Sequence, residues 1–381
     1  MPQPPFIVIA DDLTGAAEMA ATAHHYGLSA TVLTRGLPPT SPADVWVFDT
    51  DSRLDSAAGA AAKITRLIPT LCGILPALIY KKTDSVLRGP VRAELEALAN
   101  TLGLARVLFA PANPTLGRTV RAGRYSVNGV PLHQTSFGQD PHHPATTDDV
   151  CALLGAVGSL AVHSRSADQS LPASGIVVGN ASNIADLDAW EKISRESSAL
   201  LAGASEFFAA LLRQRGYSAA AARPGAARPS GPTLILSGTT HPDAAVLRRA
   251  CPQAVARPAG HRIDVAAWAG ELRLRLDQQD LALACFDGPL STDPTLPPAL
   301  RDTLAGVASH LIADRAFAHL MIEGGATAAA ITRALDWSEL RLHHAWSPGV
   351  ASLRPVSAPH FTLTLKPGSY SWPAALAPLS P

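Results

Sequence analysis

The sequence predicts an α/β protein made of two α/β domains, each with a largely parallel sheet. Short apolar runs such as Phe6 to Ala10 recur along the chain, as expected for strands that are buried on both faces of a parallel sheet. Most of these runs lead into a polar or glycine-rich turn and then into a segment with helical spacing of apolar residues. The length of 381 residues is sufficient for about two domains, each with its own core.

The boundary between the two predicted domains lies at the clearest change in composition. Residues 218–232 are rich in alanine and contain two Arg-Pro pairs close to glycines, at Arg223-Pro224 and Arg228-Pro229. Such a composition is typical of a linker. We therefore predict a first domain at residues 1–217, a linker at 218–232 and a second domain at 233–381.

The charge balance limits the classes of partner. The chain has 31 basic and 31 acidic residues and a sequence pI near 7.2, whereas general nucleic-acid or membrane-surface binding needs a concentrated positive field. No apolar stretch reaches about 18 residues without charges or turn residues, so no transmembrane helix is expected. The first residues have no basic segment leading into a long apolar run, which predicts no signal peptide and a cytoplasmic location.

The cysteines predict neither a zinc site nor a redox site. They are far apart and form no C-x-x-C pair, and we interpret them as reduced core thiols: Cys72, Cys151, Cys251 and Cys285.

The strands and helices of both domains are predicted from apolar runs and from helical spacing. Strands are expected at residues 6–10, 30–33, 45–48, 107–110, 160–162, 176–178, 233–236, 319–323 and 362–365, and another is expected to end at Tyr80. Helices are expected between the first strand and Gly27, after Pro90, within 187–212 and after Gly325.

Polar clusters follow three strands of the first domain. Asp11-Asp12 follows the first strand, residues 49–53 follow the strand at 45–48, and residues 81–90 follow Tyr80. If the crossovers have their usual hand, the three clusters lie along one edge of a single parallel sheet. An open α/β sheet usually binds its ligand at this edge.

The cluster at residues 81–90 has the composition of a site for a small, polyhydroxylated acid. Arg88 can hold a carboxylate with two hydrogen bonds, and Lys82 supplies a compact cation. Asp84 and Ser85 can bond hydroxyl groups. The alternative is a solvated loop between a strand and a helix.

The paired aspartates Asp11 and Asp12 are costly to bury unless they meet a metal, a hydroxyl group or a cation. One interpretation is therefore binding of a substrate hydroxyl or of a metal. The other is helix capping alone, because the helix that follows favours an anion at its N-terminus.

The segment 111–144 is rich in proline, glycine and asparagine and is long for a loop. Alternation at 125–127 and 130–132 predicts an ordered hairpin, which we interpret as a lid or wall over the polar clusters. Arg118 and Arg121 are further candidates for anion binding, or they are simply exposed arginines.

Three small-residue turns follow strands of the second domain and suit a nucleotide, since a backbone can approach phosphates and a purine closely only where side chains are small. The alternative is tight packing turns. The three small-residue turns are Ser237-Gly238-Thr239, Gly324-Gly325-Ala326-Thr327 and Lys366-Pro367-Gly368-Ser369-Tyr370. The sequence has no G-x-x-x-x-G-K-[ST] loop, no G-x-S-x-G turn and no histidine pair at metal-binding spacing.

These motifs, taken in order, resemble the four-carbon acid sugar kinase family over nearly the whole chain. The matching segments are Ala10 to Ala16, Asp51-Ser52-Arg53, Lys82 to Gly89, Pro111 to Pro114 with Gly117-Arg118, Thr135 with Asp140-Pro141, the three small-residue turns, and Pro348-Gly349-Val350.

The resemblance implies an N-terminal acid-sugar domain, a C-terminal ATP domain, and phosphoryl transfer across the cleft between them. Known members phosphorylate threonate, erythronate or oxo-tetronates. Carried over by motif, the substrate-binding residues are Asp11, Asp12, Arg53, Lys82, Asp84, Ser85 and Arg88, and the ATP-binding residues are Ser237, Thr239, Gly324, Gly325, Ala326, Thr327, Gly368 and Ser369. The nucleotide motifs depart more from the family pattern, with Thr239-Thr240 after Ser237-Gly238 and Ser371 after Tyr370.

For the mechanism we expect Asp12 to accept the proton of the attacking hydroxyl group, with Asp84 as the alternative base. Arg88 and Lys82 would hold the carboxylate while Mg²⁺ bridges the ATP phosphates. Two rival functions are a non-catalytic acid-sugar binding protein with a degenerate nucleotide domain and an ATP-independent sugar-acid isomerase or lyase. The expected partner is a small-molecule sugar acid, and a homodimer is compatible with the sequence.

Overall fold

The computed structural model of the protein describes residues 4–140, 142–219, 229–238, 251, 254–260, 262–287, 293, 295–368 and 370–376. The chain groups into two compact units, which are not continuous in sequence. The first unit comprises Met1–Asp11, Thr22–Ser29 and Ser41–Ala220, and the second comprises Asp12–Ala21, Ala30–Thr40 and Ala221–Pro381.

The strands of the described residues are numbered in chain order. They are β1 (Phe6–Ala10), β2 (Ala30–Leu33), β3 (Val45–Asp49), β4 (Leu78–Lys82), β5 (Arg106–Ala110), β6 (Arg118–Arg121), β7 (Arg124–Val127), β8 (Val130–Pro131), β9 (Val162–Arg165), β10 (Gly175–Gly179), β11 (Leu200–Gly203), β12 (Thr233–Ser237), β13 (Ala254–Pro258), β14 (Leu281–Asp287), β15 (His319–Glu323), β16 (Glu339–Ser347), β17 (Val350–Pro355) and β18 (Thr362–Lys366).

The helices are numbered in the same way. They are α1 (Leu13–His25), α2 (Ala57–Cys72), α3 (Val91–Thr101), α4 (Val150–Leu153), α5 (Ile184–Arg195), α6 (Ser205–Gln214), α7 (Val265–Gln279), α8 (Leu296–Ala313) and α9 (Gly325–Ala334), with short 3₁₀ helices at Pro114–Leu116, Leu132–Gln134, Ser136–Gln139 and Ala374–Leu376. No helix in the described part of the chain is long and apolar enough to cross a membrane.

Polar side chains cap several of these helices. Ser56 accepts the Gly59 N–H at 3.2 Å at the start of α2, and Asn183 accepts the Asp186 N–H at 3.0 Å at the start of α5. Each cap satisfies a backbone donor that has no partner within the helix.

The sheet of the first unit has the strand order β3-β1-β4-β11-β5-β10-β9, and each strand is parallel to its neighbours. Ala10 lies opposite Asp49 and Ile9 lies opposite Lys81, so β1, β3 and β4 end at the same edge. This register confirms the predicted alignment of the three polar clusters. The chain order reverses between β1 and β4, which makes their carboxyl ends a topological switch point.

The sheet of the second unit has the order β13-β14-β12-β15-β18-β17-β16-β2. The strands from β13 to β18 are parallel, whereas the pairs from β18 to β2 are antiparallel. The chain order reverses between β12 and β15. The turns after Ser237 and Glu323 therefore lie at a second switch point.

The predicted hairpin within residues 111–144 is confirmed. Strands β6, β7 and β8 form an antiparallel sheet in which Val127 lies opposite Arg118 and Val130. Its Val120 is also bridged to Ala181 of the first unit, with the Val120 N–H donating to the Ala181 carbonyl at 2.9 Å.

Several predicted elements were wrong in type or extent. Residues 187–212 were predicted as helices only, but β11 lies between α5 and α6, because a short buried apolar run has no period that separates a strand from a helix. Strand β9 begins at Val162, and β4 continues to Lys82, so the two lysines lie within the strand. The antiparallel pair β16–β17 was not predicted.

The interpretation of the cysteines as core thiols is correct for Cys251 and Cys285, which are buried. Cys72 is exposed at the end of α2, and Cys151 is half-buried. Most of the predicted linker, 220–228, lies outside the described residues.

Candidate active site

Asp11 is the first polar residue after β1, and it is buried against a guanidinium group. Arg53 donates from Nε to Asp11 Oδ2 at 2.7 Å and from Nη2 to Asp11 Oδ1 at 3.0 Å. Burial alone would raise the pKa of the Asp11 carboxyl, but Arg53, with Lys81 and Lys82 nearby, lowers it below its usual value. Asp11 is therefore a carboxylate that fixes Arg53.

Asp84 forms a second pair of this kind with Arg88. Arg88 donates from Nε to Asp84 Oδ2 at 2.9 Å and from Nη2 to Asp84 Oδ1 at 2.8 Å, and Arg53 Nη2 lies 3.7 Å from Asp84 Oδ1. Burial raises the pKa of Asp84, yet Arg88 and Arg53 together hold it well below the usual range. The Arg88 pKa is raised, because the attraction of Asp84 outweighs the effect of burial.

The loop after β4 is shaped to bring these groups together. Asp84 Oδ2 accepts the N–H groups of Val86 and Arg88 at 3.2 Å each, and Leu87 adopts a left-handed φ of 66°. Gly89 has φ of 90°, and a Cβ there would lie 3.0 Å from the Arg53 carbonyl oxygen. Only glycine meets both requirements without strain, so Gly89 lets the loop pack against Arg53.

Behind these pairs lies a buried network that holds the strand ends. Lys81 is fully buried, and its Nζ lies 3.2 Å from Glu94 Oε2 of α3. Glu94 also accepts the Ser52 hydroxyl on Oε1 at 2.5 Å. Burial and the nearby Asp11 raise the pKa of Glu94 more than Lys81 and Ser52 lower it.

Lys82 and Ser85 line the same edge. Lys82 is buried, and its Nζ donates to the Thr83 carbonyl at 2.9 Å. The Ser85 hydroxyl accepts a hydrogen bond from Arg118 Nη1 of β6, and its carbonyl accepts one from the Tyr125 hydroxyl of β7. The hairpin is therefore joined to the loop after β4, and it brings Arg118 to the site.

An aromatic ring separates two of the guanidinium groups. Phe137 lies with its ring centroid 5.8 Å from Cζ of Arg88 and 5.6 Å from Cζ of Arg118. Asp140, three residues later, accepts from Arg88 Nη1 at 3.3 Å. Burial raises the pKa of Asp140. The N–H groups of His143 and His142 and the charge of Arg88 outweigh this effect, so the pKa lies below its usual value.

The edge of the first unit thus gathers guanidinium and ammonium groups that are held in place by carboxylates. Arg53 and Arg88 are fixed by Asp11 and Asp84, and Arg118 is fixed through Ser85. Fixed guanidinium groups bind a carboxylate without losing further side-chain freedom. Charged and hydroxyl groups at one sheet edge can orient a small hydroxylated acid.

Asp12 belongs to the second unit and caps helix α1. Its Oδ1 accepts the Gly15 N–H at 2.8 Å, and its Oδ2 accepts the Thr14 hydroxyl at 2.6 Å. A Cβ added to Gly325, the first residue of α9, would lie 2.6 Å from Asp12 Oδ2. The carboxylate therefore reaches the N-terminus of α9 because residue 325 has no side chain. Asp12 therefore caps α1, and its binding of a substrate hydroxyl or a metal stays a prediction.

The predicted nucleotide turns meet at the switch point of the second unit. The Ser237 hydroxyl donates to Glu323 Oε2 at 2.6 Å, and the Gly238 N–H donates to the Glu323 carbonyl at 3.3 Å. A Cβ on Gly238 would overlap Oγ1 of the buried Thr327.

Gly324 enters α9 with φ of 102°, and its N–H donates to the Lys366 carbonyl at 2.9 Å. The first N–H groups of α9, from Gly325 to Thr327, have no partner within the helix. They lie next to glycines, where a phosphate group can approach the backbone closely. This cradle, with backbone donors at a helix N-terminus, has the chemistry that phosphate groups need. Gly368 follows β18, while Thr239 and Ser369 lie outside the described residues.

Within the described part of the chain, no group of three or more His, Cys, Asp and Glu side chains is arranged to hold a metal ion.

Two family models together match most of the chain. A sugar-binding N-terminal domain matches residues 6–211, which is more than half of the chain, and a nucleotide-binding C-terminal domain matches residues 232–370. The chain is 28% identical over 365 residues to the D-threonate kinase of Bordetella bronchiseptica, covering 89% of this chain and 87% of that one. It is 27% identical over 410 residues to the 3-oxo-tetronate kinase of Brucella melitensis, covering 95% and 92%. The chain belongs to the four-carbon acid sugar kinase family.

Another curated relative and two solved structures match the chain to different extents. The D-threonate kinase of Salmonella typhimurium is 35% identical over 159 residues, a match that spans 41% of this chain and 38% of that one. A solved structure from Salmonella typhimurium LT2 has a TM-score of 0.79 at 21% identity, covering 98% of both chains, and one from Haemophilus influenzae has a TM-score of 0.70 at 20% identity, covering 97% and 98%. These two structures show that the fold is shared.

Some residues of these two candidate sites were not predicted from the sequence. Glu94 carried a usable signal, because an acidic residue stands three positions after Val91 on the apolar face of α3. Phe137 and Glu323 carried none, since an aromatic residue in a loop and an acidic strand end are common in any protein.

Proposed function

We propose that this protein is an ATP-dependent kinase that phosphorylates a hydroxyl group of a four-carbon sugar acid such as threonate, erythronate or an oxo-tetronate. The observation that carries the proposal is the presence, in one chain, of both matched domains and of relatives named as kinases of these acids. The clustered cations in the first unit and the glycine cradle in the second support it.

The acid binds, in this proposal, at the carboxyl edge of the first unit. Arg88 and Lys82 hold the carboxylate of the acid, and Arg53 and Ser85 bond its hydroxyl groups. Support comes from the fixed orientation of Arg53 on Asp11 and of Arg88 on Asp84. Fixed cationic groups discriminate a carboxylate from a neutral sugar, because hydrogen bonds between two charged groups are about twice as strong as neutral ones.

Asp12 is our proposed general base, and Asp84 is the alternative. Asp84 has a pKa well below the usual range and receives hydrogen bonds from the Arg88 side chain and from two backbone N–H groups. Such a carboxylate holds a proton weakly and is a poor base. Asp12 lies beside the cradle in which the phosphates would bind, with its Oδ2 close to the N-terminus of α9.

The ATP phosphates bind, in this proposal, against the glycines at the start of α9. Gly238, Gly324 and Gly325 allow close approach of the backbone, and Thr327 supplies a hydroxyl group. Bound Mg²⁺ would neutralise part of the phosphate charge as the phosphoryl group is transferred. Asp12 would accept the proton of the acceptor hydroxyl group as that group attacks.

The experiment that tests the function is a screen for ADP release with Mg-ATP and a set of four-carbon acids and their oxo forms. We expect release with at least one acid and none with the corresponding neutral sugars. A non-catalytic binding protein would instead be stabilised by the acid without any ADP release. If no acid causes ADP release but an acid raises the melting temperature, the kinase proposal is rejected in favour of a non-catalytic binding protein.

The boundaries 1–217, 218–232 and 233–381 stay a prediction, although the matched models at 6–211 and 232–370 support a division in this region. A cytoplasmic location and a homodimer also stay predictions. Size-exclusion chromatography with light scattering would determine the oligomeric state.

A further inference from the structure

A buried carboxylate connects the three strand ends that carry the nucleotide turns. Glu323 ends β15, whose neighbours are β12 and β18, and the register places Ser237 and Lys366 directly opposite it. All three side chains are almost fully inaccessible, at 3% exposure for Ser237 and 2% for Glu323 and Lys366. A buried charge is retained only where it has strong partners.

Glu323 has such partners on both oxygens. Oε2 accepts the Ser237 hydroxyl at 2.6 Å, while Oε1 accepts Trp372 Nε1 at 2.8 Å and lies 3.3 Å from Lys366 Nζ. One side chain therefore links the end of β12, the end of β18 and the segment that follows β18.

The ammonium group of Lys366 has hydrogen-bond partners within the protein. Besides its ion pair with Glu323, Nζ donates to the carbonyl groups of Pro367, at 3.2 Å, and of Tyr370. An ammonium group has three donors, so these partners account for all of them. Lys366 thereby closes the turn in which the Tyr370 N–H donates to the Pro367 carbonyl at 3.1 Å.

The segment after this turn is packed firmly onto the core. Trp372 and Leu376 pack with a buried cluster that includes Ile235 and Met321, and the Trp372 ring lies 5.5 Å from Lys366 Nζ. The Tyr370 ring packs so closely on Gly349 that a Cβ there would overlap it. The Glu323–Lys366 pair thus contacts a segment that also packs on the core through Trp372 and Leu376.

We propose that Glu323 and Lys366 are positioning residues that hold the carboxyl ends of β12 and β18 in the arrangement that binds the nucleotide, and that Lys366 is not itself a phosphate ligand. The inference rests on the proposed use of ATP. A lysine beside a glycine turn would ordinarily be assigned to the phosphates. Here its ammonium group contacts Glu323 and two carbonyl groups, so Lys366 would affect nucleotide binding by holding the backbone after β18 in place.

The two roles predict opposite effects for Glu323→Gln. If Lys366 binds phosphate and Glu323 competes for it, loss of the carboxylate frees the ammonium group and tightens nucleotide binding. If the pair positions the turns, the amide cannot accept from Ser237, Trp372 and Lys366 together, and binding weakens. Loss of one hydrogen bond to a charged group corresponds to about tenfold in affinity.

The test is calorimetric titration with Mg-ADP, which involves no turnover, on the wild type, Glu323→Gln, Lys366→Met and the double variant. We expect each single variant to bind Mg-ADP at least about tenfold more weakly, with D-threonate binding unchanged. The double variant should bind more tightly than Lys366→Met, because a neutral pair leaves no buried charge unpaired.

The matched control is Glu339→Gln, which changes another buried carboxylate of the second unit whose partner is Thr40. It should leave Mg-ADP binding unchanged. In steady-state assays Glu323→Gln should raise KM for Mg-ATP with little change in kcat or in KM for the acid. A general loss of folding would instead lower the amount of active protein and leave KM unchanged.

Tighter or unchanged Mg-ADP binding by Glu323→Gln would overturn the proposal. A double variant as weak as Lys366→Met would also overturn it and assign Lys366 to the phosphates. The double variant keeps the test valid if a single variant fails to fold, since both charges are absent from it. If the wild type itself does not bind Mg-ADP, the proposed use of ATP fails instead.

Discussion

Gly325→Ala is the most direct probe of the catalytic assignment, because it adds one methyl group beside Asp12. The new Cβ would lie 2.6 Å from Asp12 Oδ2 and 3.1 Å from the Thr14 hydroxyl oxygen. Real Cβ contacts almost never fall below 3.0 Å, so the carboxylate must move by at least about 0.4 Å. Misplacement of a reacting group by about 1 Å can lower the rate roughly 100-fold, and we therefore expect kcat to fall about tenfold or more.

Stability should respond differently from turnover. Gly325 does not have a positive φ, so alanine there reduces the conformational entropy of the unfolded chain by about 0.4–1 kcal/mol, which offsets part of the cost of moving Asp12. The melting temperature of Gly325→Ala should therefore stay close to that of the wild type. The assay is coupled ADP release at saturating Mg-ATP and acid, with a thermal melt of the same preparation.

Gly270→Ala is the matched control for this variant. Gly270 lies within α7, and a Cβ there would meet no atom within 4 Å. The control should gain about 0.5–1 kcal/mol in stability with unchanged kcat. The reasoning would be refuted by a Gly325→Ala enzyme with wild-type kcat, since Asp12 would then either tolerate displacement or take no part in the reaction.

Three further variants test other parts of the site. Asp12→Asn should lower kcat roughly 100- to 10,000-fold with a small change in acid affinity, measured by ADP release and calorimetry, and an active variant would exclude Asp12 as the base. Gly238→Ala should weaken Mg-ADP binding but not acid binding, because its Cβ would overlap Thr327, and equal affinity would argue against the cradle. Asp84→Asn should lose less folding stability than the wild type when the pH is lowered. The folded-state pKa of Asp84 lies below its unfolded value, so its contribution is present above about pH 4 and lost as the pH falls through the folded-state pKa. Thermal melts from about pH 2 to pH 7 measure this, and parallel curves for variant and wild type would contradict it.

Local patterns were sufficient to predict much of the fold. The apolar run at Phe6 to Ala10 is a strand with every residue buried, and the turn at Gly324 opens a helix as predicted. Strand β11 was missed because four buried residues have no distinguishing period. The pairing of β2 with β16 joins residues about 300 positions apart, and no local pattern encodes such a contact.

The sequence by itself determined which chemical groups stand at the carboxyl ends of the strands, since strand ends and turns follow from local apolar patterns. It did not determine which groups neutralise one another. That Arg53 is held by Asp11, that Glu94 meets Lys81, and that Glu323 occupies the ammonium group of Lys366 were decided by the tertiary structure. The physical reason is that ion pairing depends on distances of a few ångströms between residues far apart in the chain, and packing of the sheets sets those distances.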